Sequence, residues 1–495
     1  MLDKYRREFV DFNINLNRTR YFFLSGQKVA FPTIEIYNRY SDLFTLSVIE
    51  SLKKEYSETD PYYQTKSKAL FNLIAFASEQ YLNLKVKHLT QEIANAESRL
   101  YITWKGQKIL LSNVNSLLNH ELDHKDRQEI YQKKLSALSS INDLKAERIE
   151  KLHEGSQLLG YSSYLEMLSK INGIDYLALN NQFQKFLADT EKIYSINLKR
   201  FLSINLRLPL EEASQADILQ FTKQENFIDL FPSRILNLSF QETLTNLNIW
   251  PTQQKNIYLN PILQVGKQVG TFCLPVVIPN EIKVVYQPGN GVRKYQSVFQ
   301  ARGKSQYFAF NSSALIPEFK YAGDNGLIES YGFLFRHLIN EPFWLEQMLD
   351  ERESSELQTA NLLTKLYLIR SYAAKLNYEI SLHSKGLNQA AELYSNELSQ
   401  ATLFYADKSE YLTDYLDNLY IANYLRAMCF ETMLRDYFKT HFGYKWWQSV
   451  RAGNLLKEMW NEGTRYNLTE FAQQLSLGDL IIEPLEIEFL LNLKS

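Results

Sequence analysis

The chain has 495 residues, a formal net charge of −2 and a pI of about 6.4. This near-neutral balance argues against a nucleic-acid-binding protein, which usually carries a basic domain or stripe, and no run is long and apolar enough to predict a membrane helix. The charged start leads into no apolar segment, and there are two cysteines. Since neither a secretory signal nor a disulfide framework is indicated, we expect a cytoplasmic protein.

Large side chains outnumber helix breakers, with 32 Tyr and 29 Phe against 18 Gly and 12 Pro. This composition, together with apolar residues at three- and four-residue intervals, predicts a mainly α protein. Alternation and turn residues predict a β-hairpin near 99–111 and a small β element at about 258–288. We predict helices at 34–54, 62–94, 126–159, 176–202 and 292–310, strands at 272–278 and 281–286, and further helices towards the C-terminus.

The chain is too long for one small core, which suggests two or three lobes. Residues 1–205 are predicted to form an N-terminal helical lobe that includes the hairpin. Residues 206–495 are predicted to form a second lobe with the small β element, the helix at about 292–310 and the C-terminal helices.

A literal zinc-binding pattern, His-Glu-x-x-His, begins at His120 and ends at His124. On one helix the two histidines would share a face and could bind zinc together. However, Asp123 precedes the second histidine and a run of charged residues follows it, which is typical of a solvated helix start. We therefore predict surface histidines, with a zinc site at His120 and His124 as the weaker alternative.

A second segment has the frame of such a motif without its ligands. Residues 299–304 are Phe-Gln-Ala-Arg-Gly-Lys, and Glu329 follows 29 positions after Gln300. With 272–276, 319–335 and 419–427, this segment resembles the catalytic core of the thimet oligopeptidase and oligoendopeptidase family of zinc peptidases. In that family the helix carries His-Glu-x-x-His, and a Glu of the next helix is the third zinc ligand. The resemblance spans roughly 161–484.

The resemblance implies a two-lobed gluzincin fold with a deep cleft beside the small β element. It places degenerate metal positions at Gln300, Lys304 and Glu329, and the position of the general base at Ala301. An amide is a poor zinc ligand, a protonated lysine repels a dication, and alanine accepts no proton. We therefore expect no catalytic residue and no zinc cofactor. We also predict that Lys304 forms an ion pair with Glu329 and that Arg302 faces solvent.

Five further residues are candidate peptide contacts in the cleft that the resemblance implies. The strand with Val284 and Tyr286 could pair with an extended peptide by β-addition. Tyr420 and Tyr424 share a helical face, and tyrosines on this helix stabilise the tetrahedral oxyanion in active relatives. Tyr331 lies on the helix with the third ligand position.

The function that these residues favour is that of a catalytically inactive homologue of an oligopeptide-cleaving zinc metallopeptidase. Such a protein would bind or regulate a peptide or protein partner, for example an active paralogue. Two alternatives stay open: an active metallopeptidase with an unusual metal site, and a structural subunit of a larger assembly. Metal content separates the first alternative from the others, and an open or filled cleft separates peptide binding from the second.

Overall fold

The computed structural model describes residues 2–28, 31–262, 270–350 and 355–493. Helices dominate these ranges, so the predicted mainly α fold is confirmed. Within them, no helix is both long and apolar enough to cross a lipid bilayer. The helices are α1 (Leu2–Leu24), α2 (Thr33–Arg39), α3 (Leu46–Glu58), α4 (Gln64–Glu97), α5 (Leu111–His120), α6 (His124–Ser139), α7 (Asn142–Leu158), α8 (Tyr164–Asn172), α9 (Tyr176–Phe201), α10 (Ile218–Lys223), α11 (Ser233–Asn246), α12 (Val292–Phe310), α13 (Glu318–Tyr321), α14 (Asn325–His337), α15 (Pro342–Leu349), α16 (Ser355–Lys385), α17 (Ala390–Thr402), α18 (Ile421–Phe442), α19 (Val450–Asn461), α20 (Leu468–Gln474) and α21 (Glu483–Asn492). The strands are β1 (Tyr101–Trp104), β2 (Gln107–Leu110), β3 (Ile257–Pro261), β4 (Phe272–Val277) and β5 (Glu281–Tyr286).

Local side-chain hydrogen bonds divide two of the predicted helices. The helix expected at 34–54 is α2 and α3, because the Thr45 hydroxyl accepts a hydrogen bond from the Val48 amide and begins a new helix. The helix expected at 126–159 is α6 and α7. Between them the hydroxyls of Ser139 and Ser140 donate to backbone carbonyls, an interaction that competes with regular helix bonding.

The sequence predicted both strands of the first sheet and two of the three strands of the second. The hairpin is confirmed as β1 and β2, joined by Lys105 and Gly106 with φ of 47° and 80°, the positive values that a tight hairpin turn needs. The second sheet has the order β3–β5–β4, with β5 parallel to β3 and antiparallel to β4. The sequence predicted β4 and β5, but β3, which pairs along the other edge of β5, was not predicted.

Two large hydrophobic cores hold the helices together. One contains buried side chains of α1, α3, α4, α8, α9, α16 and α18. The other surrounds α12 and includes side chains of α11, β5, α14 and α19. Since residues beyond 205 contribute to both cores, the proposed lobe boundary near that position stays a prediction.

Two glycines allow α12 and α14 to approach closely. A Cβ atom at Gly303 would lie 2.8 Å from the backbone oxygen of Tyr331. A Cβ atom at Gly332 would lie 3.0 Å from the Cγ atoms of both Gln300 and Lys304. The small residues therefore bring the polar face of α12 within hydrogen-bonding reach of α14.

Candidate functional site

The predicted ion pair between α12 and α14 is present in the structure. Lys304 Nζ lies 3.1 Å and 3.2 Å from the two carboxylate oxygens of Glu329. The Glu329 side chain is 4% exposed and the Lys304 side chain 22%, so the carboxylate depends more on its protein partners than the ammonium does. The Tyr420 hydroxyl also donates to Glu329 Oε1, at 3.0 Å.

Gln300 joins the same network through a residue that the sequence did not single out. Its Nε2 lies 3.5 Å from Glu329 Oε2, and its Oε1 accepts a hydrogen bond of 3.1 Å from Arg336 Nη1. Arg336 Nη2 also donates to Gln296 Oε1 at 3.3 Å. Because Arg336 follows Glu329 by seven residues, two turns along the same helical face, its spacing could have indicated this position.

The two residues between Gln300 and Gly303 are buried. Ala301 is packed in the core around α12, and its methyl group offers no proton acceptor. Arg302 was expected in solvent, but this prediction is wrong. Its guanidinium lies over the Phe240 ring at 4.1 Å and donates to Asn237 Oδ1 at 3.3 Å. Burial lowers the pKa of Arg302 to about 10.

Tyrosine rings form a continuous series beside the ion pair. Tyr420 packs edge-on against Tyr424 with ring centroids 5.3 Å apart, and Tyr424 stacks on Tyr372 at the same distance. Burial, followed by the negative charge of Glu329, raises the pKa of Tyr420 and of Tyr424 above the ordinary tyrosine value. Both hydroxyls therefore stay protonated at neutral pH and serve as hydrogen-bond donors.

Three of the candidate peptide contacts do not face an open groove. Tyr331 is fully buried, and its ring stacks on Tyr307 and meets Trp460 edge-on. Val284 and Tyr286 are also buried, on the central strand β5. Because the backbone of β5 pairs with β3 on one side and β4 on the other, it offers no free edge for β-addition, and that expectation is wrong.

The literal His-Glu-x-x-His pattern does not lie on one helix. His120 ends α5 and His124 begins α6, with three non-helical residues between them. His120 Nδ1 contacts the Ser116 carbonyl at 2.7 Å, while His124 Nδ1 lies 2.9 Å from Asp217 Oδ1. The helix expected across the pattern is therefore broken, and the shared face that zinc binding requires is absent.

A cavity of about 620 Å³ lies between the N-terminal helices and α14 and α18. Ile328 and Asn423, which adjoin Glu329 and Tyr424 in the chain, are part of its lining. The Arg20 side chain also lines the cavity. It is lined by many side-chain amides, at Asn13, Asn17, Asn72, Gln80, Asn83, Asn172, Asn325, Asn423 and Asn467.

The side chains at the site do not fit zinc. A catalytic zinc takes three protein ligands from imidazole, thiolate or carboxylate groups, whereas Gln300 and Lys304 offer an amide and an ammonium. Cys273 of β4 interacts electrostatically with Lys304 and Glu329. Burial raises the pKa of its thiol to about 12, so the thiol is neutral at neutral pH and is not a ready zinc ligand. Within the described ranges, no three His, Cys, Asp or Glu side chains are grouped to hold a metal ion.

The fold is similar to that of a provisionally assigned oligoendopeptidase F from Bacillus anthracis strain Ames, known from a crystal structure. The TM-score is 0.62, with 11% sequence identity, and the match covers 92% of this chain and 84% of that one. At this identity the similarity establishes the fold alone. No protein-family model and no curated protein sequence matches the chain.

Proposed function

We propose that this chain is a catalytically inactive homologue of the oligopeptide-cleaving zinc metallopeptidases, and that it binds a peptide or protein segment in its cleft. The observation that carries the proposal is the ion pair of Lys304 with Glu329. The Lys304 ammonium forms an ion pair with the carboxylate that the resemblance assigns to zinc.

The chemistry of the neighbouring positions supports the loss of hydrolysis. Ala301 occupies the position of the general base, and a positioned base contributes roughly a factor of 10² to 10⁴ to catalysis. With Gln300 and Lys304 at the other positions, Glu329 is the one remaining metal-type ligand. The Lys304 ammonium would have to leave before a dication could approach it.

The polar cavity beside the site supports a binding role. Its volume, about 620 Å³, lies in the range of roughly 300–1,000 Å³ that is usual for ligand sites. A side-chain amide has one acceptor and two donors, which match the carbonyl and amide groups of an extended peptide backbone. An amide-rich lining is thus suited to peptide, and the space favours binding over a purely structural role.

Zinc content tests the proposal. We would express the wild type, Gln300→His/Lys304→His and Gln300→His/Lys304→His/Glu329→Gln with added zinc, and measure bound metal by mass spectrometry. We expect little zinc in the wild type, close to one equivalent in the double variant, and loss of that zinc in the triple variant. The wild type should leave a quenched-fluorescent peptide uncut at any zinc concentration.

Tightly bound zinc in the wild type would overturn the inactive assignment. His124→Ala and Glu329→Gln would then locate the metal, since each removes a ligand of one candidate site and leaves the other intact.

A further inference from the structure

One face of α12 carries a row of polar side chains that extends beyond the proposed site. Arg293, Gln296, Gln300 and Lys304 follow one another at intervals of three and four residues, so they share a helical face. Hydrogen bonds from Arg336 to both glutamines fix the orientation of this face towards α14. Arg293 is one turn further out, at the more exposed end.

The row on α12 and the facing side chains of α14 together carry more positive than negative charge. Lys304 is neutralised by Glu329, but Arg336 donates to two amide oxygens, which carry no net charge. Among the described residues, no carboxylate lies within ion-pairing distance of Arg293 or Arg336. The surrounding protein lowers the pKa of both guanidiniums, and for Arg336 the charge of Arg293 lowers it further. Across the described part of the chain the two arginines therefore lack an ion-pair partner, and the carboxylate that shares a small cavity with Arg336 is Glu431.

Neutral hydrogen-bond donors complete this surface. Tyr372 lies beside Arg336 and stacks on Tyr424, and both rings are partly accessible. In the described part of the chain, neither hydroxyl has a hydrogen-bond acceptor, unlike Tyr420, which is bound to Glu329. Burial raises the pKa of Tyr372 and Tyr424, so both stay donors at neutral pH.

We infer that this polar surface between α12 and α14 recognises a carboxylate-bearing peptide, with Arg336 and Arg293 as the principal contacts; neither arginine lines the cavity of about 620 Å³ itself. The guanidinium group binds carboxylates through paired N–H donors, an arrangement that amides and lysines do not reproduce. This inference rests on the proposed function, since it names the kind of peptide that the protein selects. The carboxylate can come from an Asp or Glu side chain or from a free C-terminus.

Binding of matched peptides tests the inference. Four labelled nonapeptides would be compared by fluorescence anisotropy: acidic with an amidated C-terminus, neutral with a free C-terminus, neutral and amidated, and basic and amidated. We expect one or both carboxylate-bearing peptides to bind tighter than the neutral amide by on the order of 10- to 100-fold, the range for hydrogen bonds to charged groups. The first two peptides distinguish the two sources of the carboxylate.

Variants link the preference to the two arginines. Arg293→Gln and Arg336→Gln should each reduce the preference and together abolish it. Arg200→Gln, at an exposed arginine near the end of α9, should leave it unchanged. Because Arg336 is partly buried, its variant is compared only if its urea midpoint matches the wild type, and exposed Arg293 serves as the test otherwise.

The outcomes separate the inference from the function on which it rests. If the neutral amide binds as tightly as the acidic peptide, or if the arginine variants keep the preference, carboxylate recognition is refuted and peptide binding stands. If none of the four peptides binds, the proposed binding function fails, and this inference fails with it.

Discussion

Replacing Lys304 with methionine tests whether the ion pair stabilises the site. Two unit charges 3.1 Å apart attract by about 5 kcal/mol at an effective dielectric constant of ~20, before the opposing desolvation is counted. Removing one partner of a buried pair usually destabilises by about 3–5 kcal/mol, because the remaining charge is uncompensated. Glu329 keeps hydrogen bonds from Tyr420 and Gln300. We therefore expect Lys304→Met to lower the free energy of unfolding by about 3 kcal/mol, at the lower end of that range.

Removing the carboxylate of Glu329 should destabilise the protein less than removing the ammonium of Lys304. Glu329→Gln leaves an ammonium that is 22% exposed and can reach water, whereas Lys304→Met leaves a carboxylate that is 4% exposed. Lys304→Met/Glu329→Met should recover most of the loss, because no buried charge remains. Urea unfolding at pH 8 would measure these differences, with exposed Lys192→Met as the control.

The reasoning is refuted if Lys304→Met is no less stable than Glu329→Gln at pH 8, or if the double substitution is as unstable as Lys304→Met.

Four further substitutions have expected outcomes. Burial raises the pKa of Glu79 from 4.5 to about 7. Ionisation of this carboxyl group therefore opposes folding increasingly as the pH rises above 4.5. In urea titrations, Glu79→Gln should raise the free energy of unfolding by up to about 3 kcal/mol at about pH 8 and leave it unchanged at about pH 4.5. Gly303→Ala should destabilise by about 1–3 kcal/mol because its methyl would lie 2.8 Å from a backbone oxygen of α14. Gly332→Ala should lower the urea midpoint less, because its methyl would lie 3.0 Å from the Cγ atoms of Gln300 and Lys304 and 3.1 Å from the Gln300 backbone oxygen. Burial acts to raise the pKa of Asp324, but the charge of Arg426 and its hydrogen bonds outweigh this effect and lower the pKa. The Arg426 guanidinium donates to the two carboxylate oxygens of Asp324 at 2.8 Å and 2.9 Å. Asp324→Asn should therefore lower the melting temperature at pH 7, with a smaller effect at acidic pH, where the wild type loses this interaction as the pH falls through the lowered pKa.

The sequence predicted the elements whose signals are local. The hairpin at β1 and β2 and the helix α12 follow from periodicity and turn residues, and both are present. The pairing of β3 with β5 depends on a contact between separate segments, which periodicity does not encode. That pairing makes β5 central, and this is why the peptide-pairing role expected for Val284 and Tyr286 was wrong.

At the candidate site, too, some features could be predicted from the sequence and others depend on contacts between separate segments. The ion pair followed from placing Lys304 and Glu329 in register, and the structure contains it. The orientation of Arg302 could not be predicted in this way, because its buried position depends on Phe240 and Asn237 of another helix. Arg336 was missed because its two glutamine partners lie on α12, although its spacing from Glu329 was visible in the sequence.

Packing and chemistry constrain different positions of α12. Phe299 contacts Phe240 and Trp344 edge-on in the core, and Gly303 is required by the closeness of α14, so both positions serve the fold whatever the site contains. Gln300 and Lys304 lie on the polar face, where the physical requirement is that Glu329 has a partner. An ammonium meets that requirement as a metal ion would. Zinc uptake by the two-histidine variant therefore tests the side chains of the polar face, while the packing of Phe299 and Gly303 stays as it is.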